Sequence, residues 1–192
     1  IILSTGQHSQ NVILEAARHG HLRQIPNEYK TCENFLIPDQ VGNNVFHAVA
    51  SSSWNFQFDQ IPTEIINLDA LLSRNEQGKN VFHLAAASGH LRSLPDEFLT
   101  LENLLVREDD GNNALQICAM HGRLNQVSGE FQTQENLMLR NAHGQTALHL
   151  AADHGHLDKV PLGFLTEENL LAMDEDGNNP LHKSAQNGYT QR

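Results

Sequence analysis

Twelve histidines among 192 residues are the first chemistry this chain offers. "HGH" occurs twice, at His19/His21 and at His154/His156. Imidazole is a good zinc ligand, but a structural zinc site wants four protein ligands and a catalytic one three. No cluster of histidines, cysteines and carboxylates in the sequence meets that count with workable spacing, so no metal is assigned. His154 follows Asp153, a base beside a carboxylate, yet neighbouring residues on a helix do not face each other. No serine or cysteine can be placed next to that pair, so a nucleophile–base–acid triad has no support. Cys118 lies among apolar residues and reads as a small buried side chain. Cys32 follows a helix-capping threonine and reads as exposed. Phosphate loops, paired-carboxylate motifs and dinucleotide fingerprints are absent from the sequence. The expectation is a chain with no catalytic residues, no metal and no cofactor.

Charge and hydropathy narrow the partners. There are 23 acidic and 12 basic side chains, a net charge of −11. Such a surface repels phosphate backbones, which argues against nucleic acid. Basic proteins are easier partners, although solubility alone also explains the charge. No apolar run approaches the ~18 residues of a membrane span. Only two cysteines fit a reducing compartment. A cytoplasmic location is expected, or the host cytoplasm if the chain belongs to an effector.

The elements that must position these residues repeat. "DEDGNNPLHKSAQNGY" (174–189) has near-copies in "REDDGNNALQICAMHGR" and "RNAHGQTALHLAADHGH". Its glycine recurs at Gly42, Gly78, Gly111, Gly144 and Gly177, 36 residues apart once and 33 thereafter. Ser9 stands 33 residues before Gly42, which makes six copies, the last cut short. A fixed period of this size means stacked modules.

Each column has a physical reading. Asn11, Asn44, Asn80, Asn113, Thr146 and Asn179 are good helix N-caps. Pro180 follows one of them at the first helical position, where its missing N–H costs nothing. Ile13, Phe46, Phe82, Leu115, Leu148 and Leu181 then face the core. Ala17, Ala50, Ala86, Ala119, Ala152 and Ala185 demand a tight helix–helix contact. Gly20, Gly89, Gly122, Gly155 and Gly188 close the helix in a left-handed cap.

A second unit starts at Leu22, Leu91, Leu124 and Leu157. Proline follows at Pro26, Pro62, Pro95 and Pro161, with Ser128 in the fourth copy, so the second helix must be brief or broken. Thr31, Asn67, Thr100, Thr133 and Thr166 each cap a short helical turn that ends in paired apolar residues such as Leu104 and Leu105. No period-2 pattern appears, so the fold class expected is all-α: a helical repeat solenoid of six copies, partial at both ends.

The second copy departs from the rest. "SSSWNFQF" replaces the closing glycine and adds three residues. Phe58 falls where a core leucine belongs. Trp54 is either an exposed anchor for a partner or a plug for the local gap. Ile2 and Leu3 fall in the column of Leu104 and Leu105, and Arg192 falls partway through the sixth copy. The expectation is one domain over residues 1–192, cut from a longer repeat protein.

"GQTALHLAADHGHL" (144–157) is very similar to the first helix of an ankyrin repeat, whose hallmark runs G-x-T-P-L-H-x-A-A-x-x-G-H. "GKNVFHLAAASGHL" and "GNNPLHKSAQNGY" are close to it as well. The resemblance covers the first half of all six copies. The second half departs from the family pattern, with a proline where a longer apolar helix usually runs, and leaves the curvature of the stack open. The resemblance implies helix–turn–helix units with loops on one side. It implies that His47, His83, His149 and His182 bond back to the cap and to a neighbouring loop, with Leu14 and Gln116 standing in that column in two copies. His21, His90 and His156 are expected to bond to the next turn.

Partner binding through loop tips and first-helix faces is also implied, by a monomeric scaffold with an unidentified protein partner. The candidate contact residues are Arg18, His19, Ser52, Trp54, Ser88, Met120, His121, Asp153, His154 and Asn187. Asp109, Asp110, His143 and Asp176 on the loops are further candidates. The alternative is a targeting arm or spacer of a larger enzyme whose catalytic part lies elsewhere.

Overall fold

A computed structural model describes residues 11–52 and 58–188. These residues form eleven α-helices of four to eight residues and ten 3-10 turns, with no strand among them. The molecule divides into two compact units, one up to Leu84 and one from Ala85. Each is built from the expected module, and the fold is an ankyrin-like helical repeat solenoid.

The first unit holds α1 (Val12–Arg18), α2 (Cys32–Leu36), α3 (Val45–Ser51) and α4 (Leu68–Leu72). The boundary falls inside α5 (Val81–Ser88). The second unit continues with α6 (Leu101–Leu104), α7 (Ala114–Met120), α8 (Gln134–Leu137), α9 (Ala147–Asp153), α10 (Glu167–Leu171) and α11 (Pro180–Gln186). First helices stack: α1 packs on α3, α7 on α9, and α9 on α11.

First helices start where the cap column stands. The Asn44, Asn80, Asn113 and Asn179 side chains accept the backbone N–H three residues on, at 2.9 to 3.2 Å. They end at glycines in the left-handed region, such as Gly89 at φ +81°. α3 ends differently: Ser52 is extended, at φ −64° and ψ 129°, because the second copy has no glycine there.

Proline truncates the second helix to two 3-10 turns. Leu91–Ser93 and Asp96–Phe98 are one such pair, and Pro95 caps the second turn. Ser128 takes the same conformation in the fourth copy, at φ −60° and ψ 140°. The third element is then a true short helix. Thr31, Thr100, Thr133 and Thr166 each accept an N–H from the asparagine three residues on. That asparagine adds a bond which the sequence reading missed. Asn34, Asn103, Asn136 and Asn169 each donate at 2.9 Å to the carbonyl that ends the preceding 3-10 turn. In the second copy Ala70 stands in that column, and the cap residue Asn67 itself donates to Ile65 O at 3.3 Å.

The core follows the columns. Ala17, Ala50, Ala86, Ala119 and Ala152 are buried to within 1% of full enclosure, as are Phe46, Phe82, Leu115 and Leu148. Phe58 takes the leucine position and is buried; Phe35 and Phe46 meet edge-on with centroids 5.8 Å apart. The sixth copy corrects the sequence expectation. Leu181 is 47% exposed and Ala185 is exposed, because nothing among the described residues covers that side of α11. The first of the paired apolar residues is enclosed in four copies, as Leu104 is and Leu105 is not, while Leu170 of the fifth is half-buried.

Loops stack as tightly as helices. Glu76 N–H donates to Val41 O, Ala142 N–H to Asp110 O, and Glu175 N–H to His143 O, at 3.1 to 3.2 Å. The loop glycine makes that approach possible. A Cβ on Gly111 would lie 2.5 Å from the nitrogen of Ala142, in addition to the positive φ of 76°. Gly177 has a similar φ but meets nothing within 4 Å. Gly177→Ala should therefore cost only the left-handed penalty, about 1–2 kcal/mol. Gly111→Ala should cost a further ~1–3 kcal/mol of overpacking, and urea unfolding of the two variants should separate them in that order.

Candidate functional site

The repeated first helix carries its most elaborate chemistry at its third residue. In the second copy Asn44 N–H donates to His47 Nδ1 at 3.3 Å, and His47 Nε2 donates to Lys79 O of the next loop at 3.1 Å. In the fifth copy Thr146 N–H donates to His149 Nδ1 at 3.2 Å, and His149 Nε2 donates to Asn178 O at 3.2 Å. Accepting at Nδ1 and donating at Nε2 fixes the neutral imidazole in one tautomer. Burial pushes both histidines below the ordinary histidine range, against the upward pull of those carbonyls. Gln116 reproduces the pattern without a titrating group. Its Oε1 accepts Asn113 N–H at 3.0 Å, and its Nε2 donates to Leu139 O and Gln145 O at 2.8 and 3.1 Å. These histidines are structural, as the family resemblance implied.

Loops are held by a second polar column that the sequence reading did not single out. Asp39, Asn75, Asn141 and Asp174 each accept two backbone N–H groups of their own turn, at 2.8 to 3.1 Å. The signal was there: a short polar side chain stands three residues before every loop glycine, except Glu108. Asn75 reaches Asn43, and Asn141 reaches Asn112, each at 2.9 Å. Arg107 and Arg140 each donate to their own loop and to the carbonyl 33 residues on, Arg140 and Met173 respectively. Lys183 lies 3.2 Å from Asp174, whose side chain is 1% exposed. Burial alone would raise that carboxyl, but the Asn178 N–H and the Lys183 ammonium outweigh it and hold it below the usual range.

The candidate contact residues divide by environment. His19, His121, His154 and Asn187 are exposed at the ends of first helices, and Met120, Asp153 and Ser88 are half-buried beside them. Ser52 is a correction: it is 6% exposed, turned inward where α3 gives way to extended chain. Arg18 is committed to ion pairs with Glu15 and with Asp39 of the following loop. Asn187 donates to Asp153 at 2.8 Å, while His154 Nδ1 pairs with Leu150 O at 3.0 Å. Asp153 and His154 thus point to different partners, and no base–carboxylate pair forms. Asp109, Asp110, His143 and Asp176 are exposed on the loop tips. Trp54 lies outside the described residues.

His156 makes a packing contact the sequence did not suggest. A Cβ on Gly122 would meet its ring at 3.0 Å, so the imidazole lies across the helix-closing glycine of the previous copy. Arg123 lies across Gly89 in the same way, at 3.1 Å. On the outer side the shortened second helix leaves open grooves. One of about 470 Å³ lies among Arg92, Asp96, Gln126, Gly129, Glu130 and Phe131. An equivalent one of about 440 Å³ lies among Arg23, Asn27, Asp59, Gln60, Pro62 and Glu64 in the first unit. No three His, Cys, Asp or Glu side chains among the described residues converge as a metal site would require. No helix among the described residues is long and apolar enough to cross a membrane.

The family model described as ankyrin repeats (3 copies) matches residues 128–191. The similarity is to ankyrin repeats and spans a third of the chain. A comparison with curated proteins returns no match. The matched stretch contains α8 to α11, and the same cap and alanine columns extend through α1, α3, α5 and α7.

Two cysteines offer a chemical check of this packing. Cys118 is fully enclosed on α7, and burial pushes its thiol up to about 12. Cys32 is half-buried at the start of α2. A disulfide-exchange reagent at pH 8 should titrate one thiol per folded chain and two in urea. Two fast thiols in the native state would contradict the buried position of α7.

Proposed function

We propose that this chain is a non-catalytic scaffold that binds a protein partner through its loop tips and first-helix ends. Ankyrin repeats are generally protein–protein interaction modules, and the family is typically non-catalytic. The observation that carries the reading is a division of labour between columns. Residues that join one copy to the next keep their type: the caps, the core alanines, the closing glycines. The position two before the closing glycine, exposed or half-buried, differs in every copy that has that glycine: Arg18, Ala87, Met120, Asp153 and Gln186. Changes there leave the cap, alanine and glycine columns in place, as a surface that varies to recognise a partner would.

The net charge of −11 supports a protein rather than a nucleic-acid partner. Residues 1–192 are proposed to act as one monomeric, cytoplasmic binding domain.

The test replaces Met120, His121, Asp153 and His154 together with alanine. Surface changes of this kind shift stability by about 0.5 kcal/mol or less per site. The melting temperature should therefore stay close to the parent's, while affinity for a partner captured by the full chain should fall at least ~10-fold, about 1.4 kcal/mol. An unchanged affinity, measured by calorimetry, would move the function off this face and favour a spacer.

A further inference from the structure

We propose that residues 128–131 form a releasable strap along the outer groove of the second unit, held shut by the Gln132 side chain where the copies on either side are held by proline. The strap is the second 3-10 turn of the fourth copy, Gly129–Phe131, with Ser128 before it. Pro95 and Pro161 stand at the Ser128 position in the third and fifth copies. The backbone is alike in all three: φ −58° and ψ 132° at Pro95, −60° and 140° at Ser128, −58° and 134° at Pro161. A proline ring locks that φ, whereas serine must be held there by something else. Gly129 adds to the freedom. Its φ is outside the left-handed region, and a Cβ on it would meet nothing within 4 Å, so the turn does not need a glycine there. A Ser-Gly pair in place of Pro95-Asp96 or Pro161-Leu162 leaves the opened chain more conformations, which favours opening.

Gln132 supplies the missing restraint. Its Nε2 donates to Leu124 O at 3.2 Å and to Val127 O at 3.0 Å. Those carbonyls precede the strap and Gln132 follows it, so one amide closes a ring around residues 128–131. Leu99 and Leu165 stand in that column in the neighbouring copies and have no side-chain donor. The other ties are light. Phe131 N–H donates to Ser128 O at 3.0 Å, Gln132 N–H to Gly129 O at 3.2 Å, and Ser128 Oγ to Glu130 Oε1 at 3.1 Å between exposed residues. Hydrogen bonds of a half-buried amide trade with water at modest net cost, whereas a pyrrolidine ring cannot be released. The strap forms one wall of the groove of about 470 Å³, facing Leu91, Arg92 and Asp96 of the third copy. Val127, 1% exposed, lies in the same wall. Release of Gln132 widens this groove and uncovers Val127, a change that the proline-locked copies resist.

Three equivalent amides report the three turns. Phe98, Phe131 and Phe164 each donate to the carbonyl three residues back, at 3.0 Å. Their hydrogen-exchange protection factors, corrected for intrinsic exchange, should be compared in the full chain and its variants. Gln132→Met keeps the length of the side chain and removes its donor. Loss of the two hydrogen bonds should lower protection at Phe131 by at least ~5-fold and leave Phe98 and Phe164 unchanged. Val127 is extended, at ψ 139°, as a residue before proline must be, so Ser128→Pro fits the backbone. Added to Gln132→Met, it should restore protection at Phe131 by ~2–5-fold. Unchanged protection at Phe131 in Gln132→Met would overturn the proposal. So would an equal loss at all three amides, or a double variant no better protected than Gln132→Met alone.

Discussion

In the second, fourth and fifth copies one bonded relay at the third residue of the first helix joins a copy to the loop of the next. Seven-residue helices are marginal on their own, because nucleation costs more than so few turns return. His47, Gln116 and His149 each close the front of their own helix and hold the next copy's loop with the same side chain. The small alanine behind them lets neighbouring helices approach, and the loop glycine lets neighbouring backbones approach. Remove the relay and a helix loses its cap, a loop carbonyl loses its donor, and two copies lose their register.

The second half of the module is a different solution to the same problem. Proline prevents a long second helix, so the chain makes two 3-10 turns and a capped four- or five-residue helix. The Thr-x-x-Asn pair ties the front of that helix twice, the hydroxyl to its own first turn and the amide to the turn before it. Cap substitution is worth about 1 kcal/mol per site, and the repetition in four copies makes it a structural element. The open grooves on the outer side are what remains where a continuous helix would have packed.

Much of this was legible in the residues. A 33-residue period, caps followed by apolar residues, and alanine in every copy were enough to place the first helices and their buried faces. Pro26, Pro62, Pro95 and Pro161 announced a broken second helix. Two things were not legible, for physical reasons. Asn103 and Asn136 look like ordinary polar surface residues, since an amide bond to a carbonyl five residues back leaves no periodic trace beyond its own column. Ser52 and Leu181 were misjudged because burial depends on what lies against a helix: α3 ends without a glycine and turns Ser52 inward, while α11 has one side uncovered. Arg18 looked like a free recognition residue, and its ion pair to Asp39 could be seen only once the next loop was placed.

This arrangement separates what holds the molecule together from what varies. The bonded columns face neighbouring copies, whereas the varied positions lie at helix ends and loop tips. The most direct test of the relay is urea unfolding of Gln116→Leu, which keeps the buried volume and removes three hydrogen bonds. Orphaning the Asn113 N–H and the Leu139 and Gln145 carbonyls should lower stability by roughly 3 kcal/mol or more. A variant as stable as the parent would show that packing alone holds the copies together, and would contradict the account.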